Sequence, residues 1–282
     1  MNKSLNSLGL MSGTSGDGVD ASVINSDGKG YYKVLINKYF KYSDEISQNI
    51  YKLKRNINNI DDVKIFSAEI NDLERKITLF HSNVVSEFTK KKDFGIDLIG
   101  FHGQTILHSP KNKYSKQLGD GNLLSQLSKK KVIFNFRQND LFQGGEGAPL
   151  SPIFHQLIVK EKKIDLPVCI LNIGGISNLT LIKDFKEESL VSKDIGPGNC
   201  LIDEWIRRNK KGNFDRNGEF ASQGKTNKLI LDQALDDFEN IPANNINSFD
   251  VNDFEINFLR GLDLEDGTST ITDFTSRIIT SK

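Results

Sequence analysis

Asp194 lies in KDIGPGNCLIDEW (193–205), where an apolar run gives way to a glycine–proline turn and then to a helical pattern opening near Asn199. A carboxylate at such a strand end can act as a general base, provided a substrate proton comes within hydrogen-bond reach. The positive end of the following helix would favour its ionised form. The plainer alternative makes Asp194 or Asn199 a cap or turn residue. In VIFNFRQNDLFQGGEGAPLSP (132–152), Arg137 and Asp140 follow a predicted strand. An arginine fork suits a carboxylate and an aspartate suits sugar hydroxyls, whereas a mutual Arg137–Asp140 pair would be structural. In DLIGFHGQTILHSP (97–110), a buried strand over Asp97–Phe101 opens into His102, Gly103 and Gln104. Ligands in open α/β sheets sit beyond the carboxyl ends of strands, although a lone histidine is more often a satisfied core residue. The four histidines and two cysteines form no HExxH or CxxC pattern, so no metal-ligating residues are assigned.

Two glycine-bearing turns add a second kind of chemistry. LGLMSGTSGDGVDASVI (8–24) places Ser12–Gly18, built only from Ser, Gly, Thr and Asp, between apolar strand residues. Glycine permits the backbone angles that gather amides into an anion-binding nest. The loop leads into a strand rather than a helix, so it is neither a P-loop nor a dinucleotide fingerprint. VCILNIGGISNLTLI (168–182) repeats the arrangement around Asn172–Gly175. One small-residue hairpin at the start of each half suggests a phosphate clamped from two sides, which resembles the actin, hexokinase and Hsp70 superfamily. Two unrelated hairpins are the alternative.

The elements that must position these residues alternate between strand and helix, which argues an α/β class. Strands are predicted over Leu8–Met11, Ala21–Asn25, Tyr31–Phe40, Val132–Phe136, Val168–Asn172 and Asn178–Ile182. Val63, Phe66, Ile70, Leu73, Ile77, Phe80, Val84 and Phe88 form an apolar stripe, predicting one helix of about 40 Å. The stripe packs on a sheet or on a neighbouring subunit, which makes a homodimer an expectation. Further helices are predicted over Leu201–Asn209, Asn227–Glu239 and Gly267–Ile279, and a loop over Asn240–Asn252. The charged Glu161–Pro167 segment is the expected domain boundary. Two domains follow, 1–163 and 164–282, consistent with about 150 residues per domain.

Lysine plus arginine equals aspartate plus glutamate at 37 each, so the balance suggests no nucleic-acid partner. No stretch approaches the roughly 18 apolar residues of a membrane helix, and MNKSLNSLGLMSG lacks a signal-peptide core. Two lone cysteines fit a reducing cytoplasm.

The ordered set GLMSGTSGDGVD, GFHGQTILHSP, QLGDGN, FRQNDLFQGGEGAPLSPIFH, LNIGGISNLT, DIGPGNCLID and FDRNGEFASQGK resembles the anhydro-N-acetylmuramic acid kinase family over nearly the whole chain. The resemblance implies a two-domain actin-like (ribonuclease H-like) ATPase fold, ATP with Mg²⁺, and 1,6-anhydro-N-acetylmuramic acid as the small-molecule substrate. It implies opening of the anhydro ring by water with phosphorylation at O6, a step of peptidoglycan recycling. It also implies that Gly13, Thr14, Ser15, Gly16, Asp17, Gly18, Val19 and Asp20 form the ATP phosphate loop, and that Gly174 and Gly175 belong to the opposing one. Asp194 matches the family's base, and His102, Gln104, Arg137 and Asp140 are candidates for holding the sugar and its lactyl carboxylate.

Three departures accompany it. Gly16 stands where the family usually has a larger residue, implying a looser phosphate loop. Ile195 replaces the usual threonine beside Asp194. The sequence ends at Lys282 after LEDGTSTITDFTSRII, where the family continues into a glycine-rich adenosine motif and a further sugar-side carboxylate. The expectation is therefore an incomplete second domain and little or no activity from these 282 residues alone. A non-catalytic sugar-binding remnant and a kinase for an ordinary amino sugar are the competing readings.

Overall fold

The computed structural model describes residues 4–90, 95–186, 189–240, 249 and 251–281. The chain forms two compact units, Met1–Ile164 and Asp165–Lys282. Each combines a sheet with helices, so the class is α/β.

In the first unit, β1 (Leu5–Ser12), β2 (Gly18–Ser26) and β3 (Tyr32–Lys41) form an antiparallel meander. β4 (Leu98–Ser109) lies parallel to β1, and β5 (Tyr114–Leu118) closes the order β3-β2-β1-β4-β5. The alternation of Leu8 and Leu10 on β1 and of Val19, Ala21 and Val23 on β2 turns one sheet face inward. The helices α1 (Asp44–Asn56) and α3 (Ser67–Thr89) supply the apolar residues of the same core, among them Ile50, Leu53, Leu73 and Ile77.

The predicted single helix is broken. A capping box between Asn59 and Asp62 starts a separate short helix, α2 (Ile60–Ile65). Phe66, at φ −91 and ψ 21, leaves helical geometry before α3 begins. The 23 residues of α3 span about 35 Å. Its stripe is buried within the unit's own core. The stripe is occupied within this unit and so bears on neither the presence nor the absence of a second copy.

Two further boundaries differ from expectation. The strand predicted at Asp97–Phe101 does not stop at His102 but runs on to Ser109. The strand predicted at Val132–Phe136 is confined to β6 (Lys131–Ile133), because Asn135 takes a left-handed conformation at φ 60. The chain turns there into α5 (Phe136–Phe142), having left β5 through α4 (Gly121–Ser128). Arg137 and Asp140 thus sit on a helix. The unit ends with α6 (Pro152–Lys162).

The second unit holds an antiparallel sheet of β7 (Val168–Ile173), β8 (Ile176–Ile182) and β9 (Leu190–Pro197). The helices α7 (Cys200–Arg208), α8 (Glu219–Gln223), α9 (Lys228–Glu239) and α10 (Leu264–Thr280) follow. Trp205, Leu231, Leu259, Ile271 and Phe274 lie in its core. α10 starts three residues before the predicted Gly267, capped by Asp263, whose side chain accepts from Asp266 N at 2.8 Å. The loop predicted over Asn240–Asn252 lies mostly outside the described residues. Among the described residues no helix is long and apolar enough to cross a membrane.

Candidate active site

The Ser12–Gly18 hairpin joins β1 to β2 and is fastened from beneath. Gly16 takes φ +64, a region that favours glycine, and a Cβ there would lie 2.8 Å from Ile50 Cγ2 on α1. Gly18 admits no side chain either, since its Cβ would fall 2.5 Å from Phe40 O. Glycine at position 16 therefore seats the turn on α1, and no looseness at this position is evident. Gly13 differs: a Cβ there would meet only Ser15 Oγ, at 3.9 Å. Thr14, Ser15, Asp17 and Asp20 are exposed, while Val19 is fully buried. Asp17 accepts from Ser15 Oγ and from Tyr39 OH, the latter at 2.9 Å. Burial and that carboxylate push the Tyr39 phenol up to about 12.

A β-bulge places Gln104 under this hairpin. Leu10 pairs with Phe101 but Met11 pairs with Gly103, so His102 is the extra residue. The bulge shifts the strand's two-residue alternation by one, and Gln104 turns inward with Phe101 instead of outward. Gln104 is fully buried. Its Oε1 lies 2.7 Å from Ser12 Oγ, and its Nε2 donates to Gly13 O at 3.0 Å. Tyr42 OH donates in turn to Ser12 Oγ at 3.0 Å.

His102, Arg137 and Asp140 form one cluster. His102 Nδ1 lies 2.7 Å from Gly103 O, and Arg137 Nε donates to His102 Nε2 at 2.9 Å. This geometry requires a neutral imidazole with its proton on Nδ1. Burial, reinforced by the Arg137 charge, pulls the His102 pKa down to about 4. Arg137 Nη1 donates to Gly147 O at 2.8 Å, and Asp140 Oδ2 accepts from Gly147 N at 2.7 Å. The two charged residues therefore grip opposite faces of one glycine in the Gly144–Gly147 loop.

In the second unit, Gly174 and Gly175 form the two-residue turn between β7 and β8. Their carbonyls accept the amides at the start of α7: Asn199 N donates to Gly174 O at 2.7 Å and Cys200 N to Gly175 O at 3.2 Å, with Gly198 N, just before the cap, also on Gly175 O at 2.9 Å. These bonds satisfy part of the helix's free N-terminal amides. The close approach requires Gly198, whose Cβ would lie 2.2 Å from Gly174 O. Asp194 stands within β9 opposite Asn178, next to a register shift in the pairing. It is 8% exposed, and its Oδ2 accepts from Phe249 N at 2.9 Å. Ile195, the residue beside it, is buried.

A family model described as anhydro-N-acetylmuramic acid kinase matches residues 5–274. The chain belongs to this family. An anhydro-N-acetylmuramic acid kinase from Pelagibacter ubique is 53% identical over 279 residues, covering 99% of this chain and 74% of that protein. One from Zymomonas mobilis is 36% identical, covering 96% of this chain and 75% of the relative. Among solved structures, the Ppx/GppA phosphatase of Aquifex aeolicus aligns with a TM-score of 0.37 at 10% identity, over 98% of this chain and 93% of that one.

Some segments that resemble the kinase family serve the fold. In QLGDGN, Gly119 leaves room for Phe101, whose ring would lie 2.4 Å from a Cβ, and Asp120 caps α4. In FDRNGEFASQGK, Asp215 accepts from Phe220 N and Ala221 N, both at 3.0 Å. Lys54, which donates to Thr14 O at 2.8 Å, was not found from sequence, since no motif surrounds it.

Proposed function

We propose, against the expectation of little activity drawn from the sequence alone, that this chain carries out the family's reaction: ATP-dependent ring opening of 1,6-anhydro-N-acetylmuramic acid to N-acetylmuramic acid 6-phosphate, a step of peptidoglycan recycling. The observation that carries this reading is the family match across residues 5–274 together with 53% identity to a kinase of that name. The fold this reading assigns is the two-unit actin-like ATPase fold.

Asp194 is the general base. It takes a proton from a water molecule as the water oxygen bonds to C1 of the sugar. The C1–O6 bond breaks with its electron pair going to O6, and O6 takes the phosphoryl group from ATP, leaving ADP. The Phe249 amide, donating to Asp194 Oδ2, helps to fix the carboxylate. The Gly13–Asp20 hairpin of the first unit holds ATP phosphates; in the second unit the Gly174–Gly175 turn orders the opening amides of α7. His102, Arg137 and Asp140 serve the sugar side by fixing the Gly144–Gly147 loop, with Arg137 as the charge that suits the lactyl carboxylate.

Mg²⁺ binds ATP phosphates with one or two carboxylates and water, and the exposed Asp17 and Asp20 on the hairpin fit that donor set. When bound it supplies charge neutralisation on the phosphates. Positioning by the residues above supplies the rest.

Substrate choice tests this reading. With Mg·ATP, the anhydro sugar is expected to react, and N-acetylmuramic acid, already ring-opened, is not. Phosphorylation of the ring-opened sugar at an equal rate would favour the ordinary amino-sugar kinase. Sugar binding without ATP binding would favour the non-catalytic remnant.

A further inference from the structure

We propose that Gln104 and Lys54 are positioning residues that aim the Thr14 and Ser15 amides at the phosphates of ATP. The inference rests on the hairpin being the phosphate loop and adds how its donors are oriented. A trans peptide points its C=O and its N–H to opposite sides. Fixing one carbonyl therefore fixes the direction of the next amide. Gly13 O is held by Gln104 Nε2 at 3.0 Å and by Gly16 N at 3.1 Å, which turns Thr14 N–H to the outer side of the loop. Thr14 O is held by Lys54 Nζ at 2.8 Å, which does the same for Ser15 N–H. Both residues are exposed, and among the described residues neither amide donates to another group.

The buried end of the device has one consistent direction. Tyr42 OH donates to Ser12 Oγ, and the Gln104 amide donates to Gly13 O; the single Ser12 hydrogen goes to Gln104 Oε1 at 2.7 Å, the nearer acceptor, rather than to Gly18 O at 3.0 Å. Tyr42, Ser12 and Gln104 are 2%, 1% and 0% exposed, so no water competes for these bonds. Burial raises the Tyr42 phenol pKa, which keeps it a donor. Full commitment of both ends of its amide gives Gln104 this role in place of the sugar contact expected from sequence. Lys54 reaches the loop from α1, a separate element, so the two carbonyls are pinned independently.

The test measures binding of Mg·ATP and of the anhydro sugar to the full chain. Lys54→Met and Gln104→Met are each expected to weaken ATP binding about tenfold or more, the loss of one amide-to-phosphate hydrogen bond, with binding of the anhydro sugar unchanged. Lys54→Arg, which retains a donor, is expected to recover most of the ATP affinity. Gln104 and Met are both neutral, so a phosphate-specific loss at Gln104 cannot come from removed charge. Should Gln104→Met fail to fold, Tyr42→Phe removes the far end of the same relay and is expected to give a smaller loss of the same ATP-selective kind. Equal losses for ATP and the anhydro sugar, or unchanged ATP binding in Lys54→Met, would overturn the inference. Gly13→Val separates it from the phosphate-loop assignment, since that side chain has open space. If Gly13→Val weakens ATP binding but Lys54→Met and Gln104→Met do not, only the positioning roles fail. If Gly13→Val has no effect, the loop assignment fails with them.

Discussion

Replacing Gly16 with alanine loads two separate costs onto one methyl group. At φ +64 a residue with a Cβ loses about 1–2 kcal/mol relative to the right-handed region. The same Cβ lies 2.8 Å from Ile50 Cγ2, and Ile50 is only 1% exposed, so its side chain has no solvent to move into. Overpacking of this kind costs about 1–3 kcal/mol. Gly16→Ala should therefore destabilise the fold by about 2–5 kcal/mol, the sum of the two ranges. Gly28→Ala separates the terms, because Gly28 has φ +71 but nothing within 4 Å of its Cβ position. That variant should lose only the backbone part, about 1–2 kcal/mol. Urea unfolding followed by circular dichroism measures both, with the midpoint shifting and the slope constant. Equal losses in the two variants would refute the contact with Ile50, and with it the seating of the hairpin on α1.

Asp194→Asn should abolish turnover while leaving ATP binding intact, as stopped assays and calorimetry on the same protein would check; near-normal turnover would remove Asp194 as the base. Gly198→Ala should destabilise the second unit, since its Cβ would fall 2.2 Å from Gly174 O and push the glycine turn off the opening of α7. The loss should show as a lowered unfolding midpoint and faster amide exchange at Asn199. Acid should weaken the fold before the carboxylates titrate. Burial lowers His81, His102 and His108 to about 4 each, so the native state disfavours their protonation while the unfolded chain takes up protons near 6.5. Their contribution is complete above pH 6.5 and is lost as pH falls from there through about 4. Unfolding free energy should fall steadily over that window, and a flat profile would show that these rings protonate without hindrance.

The chemistry was easier to read from sequence than the geometry that serves it. Ser12–Gly18 stood out because only small and polar residues interrupt two apolar runs, and the structure makes it a hairpin turn. The bulge at His102 was not legible, because it arises from pairing with Met11, far away in the chain. For the same reason the inward turn of Gln104 could not be read from GFHGQTILHSP. Lys54 carries no local signal, being one lysine among many on an amphipathic helix. The break at Phe66 was hidden by an apolar stripe that runs through it, although the Asn59–Asp62 capping box was present to mark a second helix start. Asn135 turned a predicted strand into a helix entry through one left-handed residue, a choice that asparagine permits but does not announce.

The most direct test of the central claim is the mass of the product formed from 1,6-anhydro-N-acetylmuramic acid and Mg·ATP by this chain. The expected product has gained one water and one phosphoryl group, as ring opening at C1 and transfer to O6 require together. A product that has gained a phosphoryl group without water would mean the ring stays closed and Asp194 activates no nucleophile, which would contradict the account.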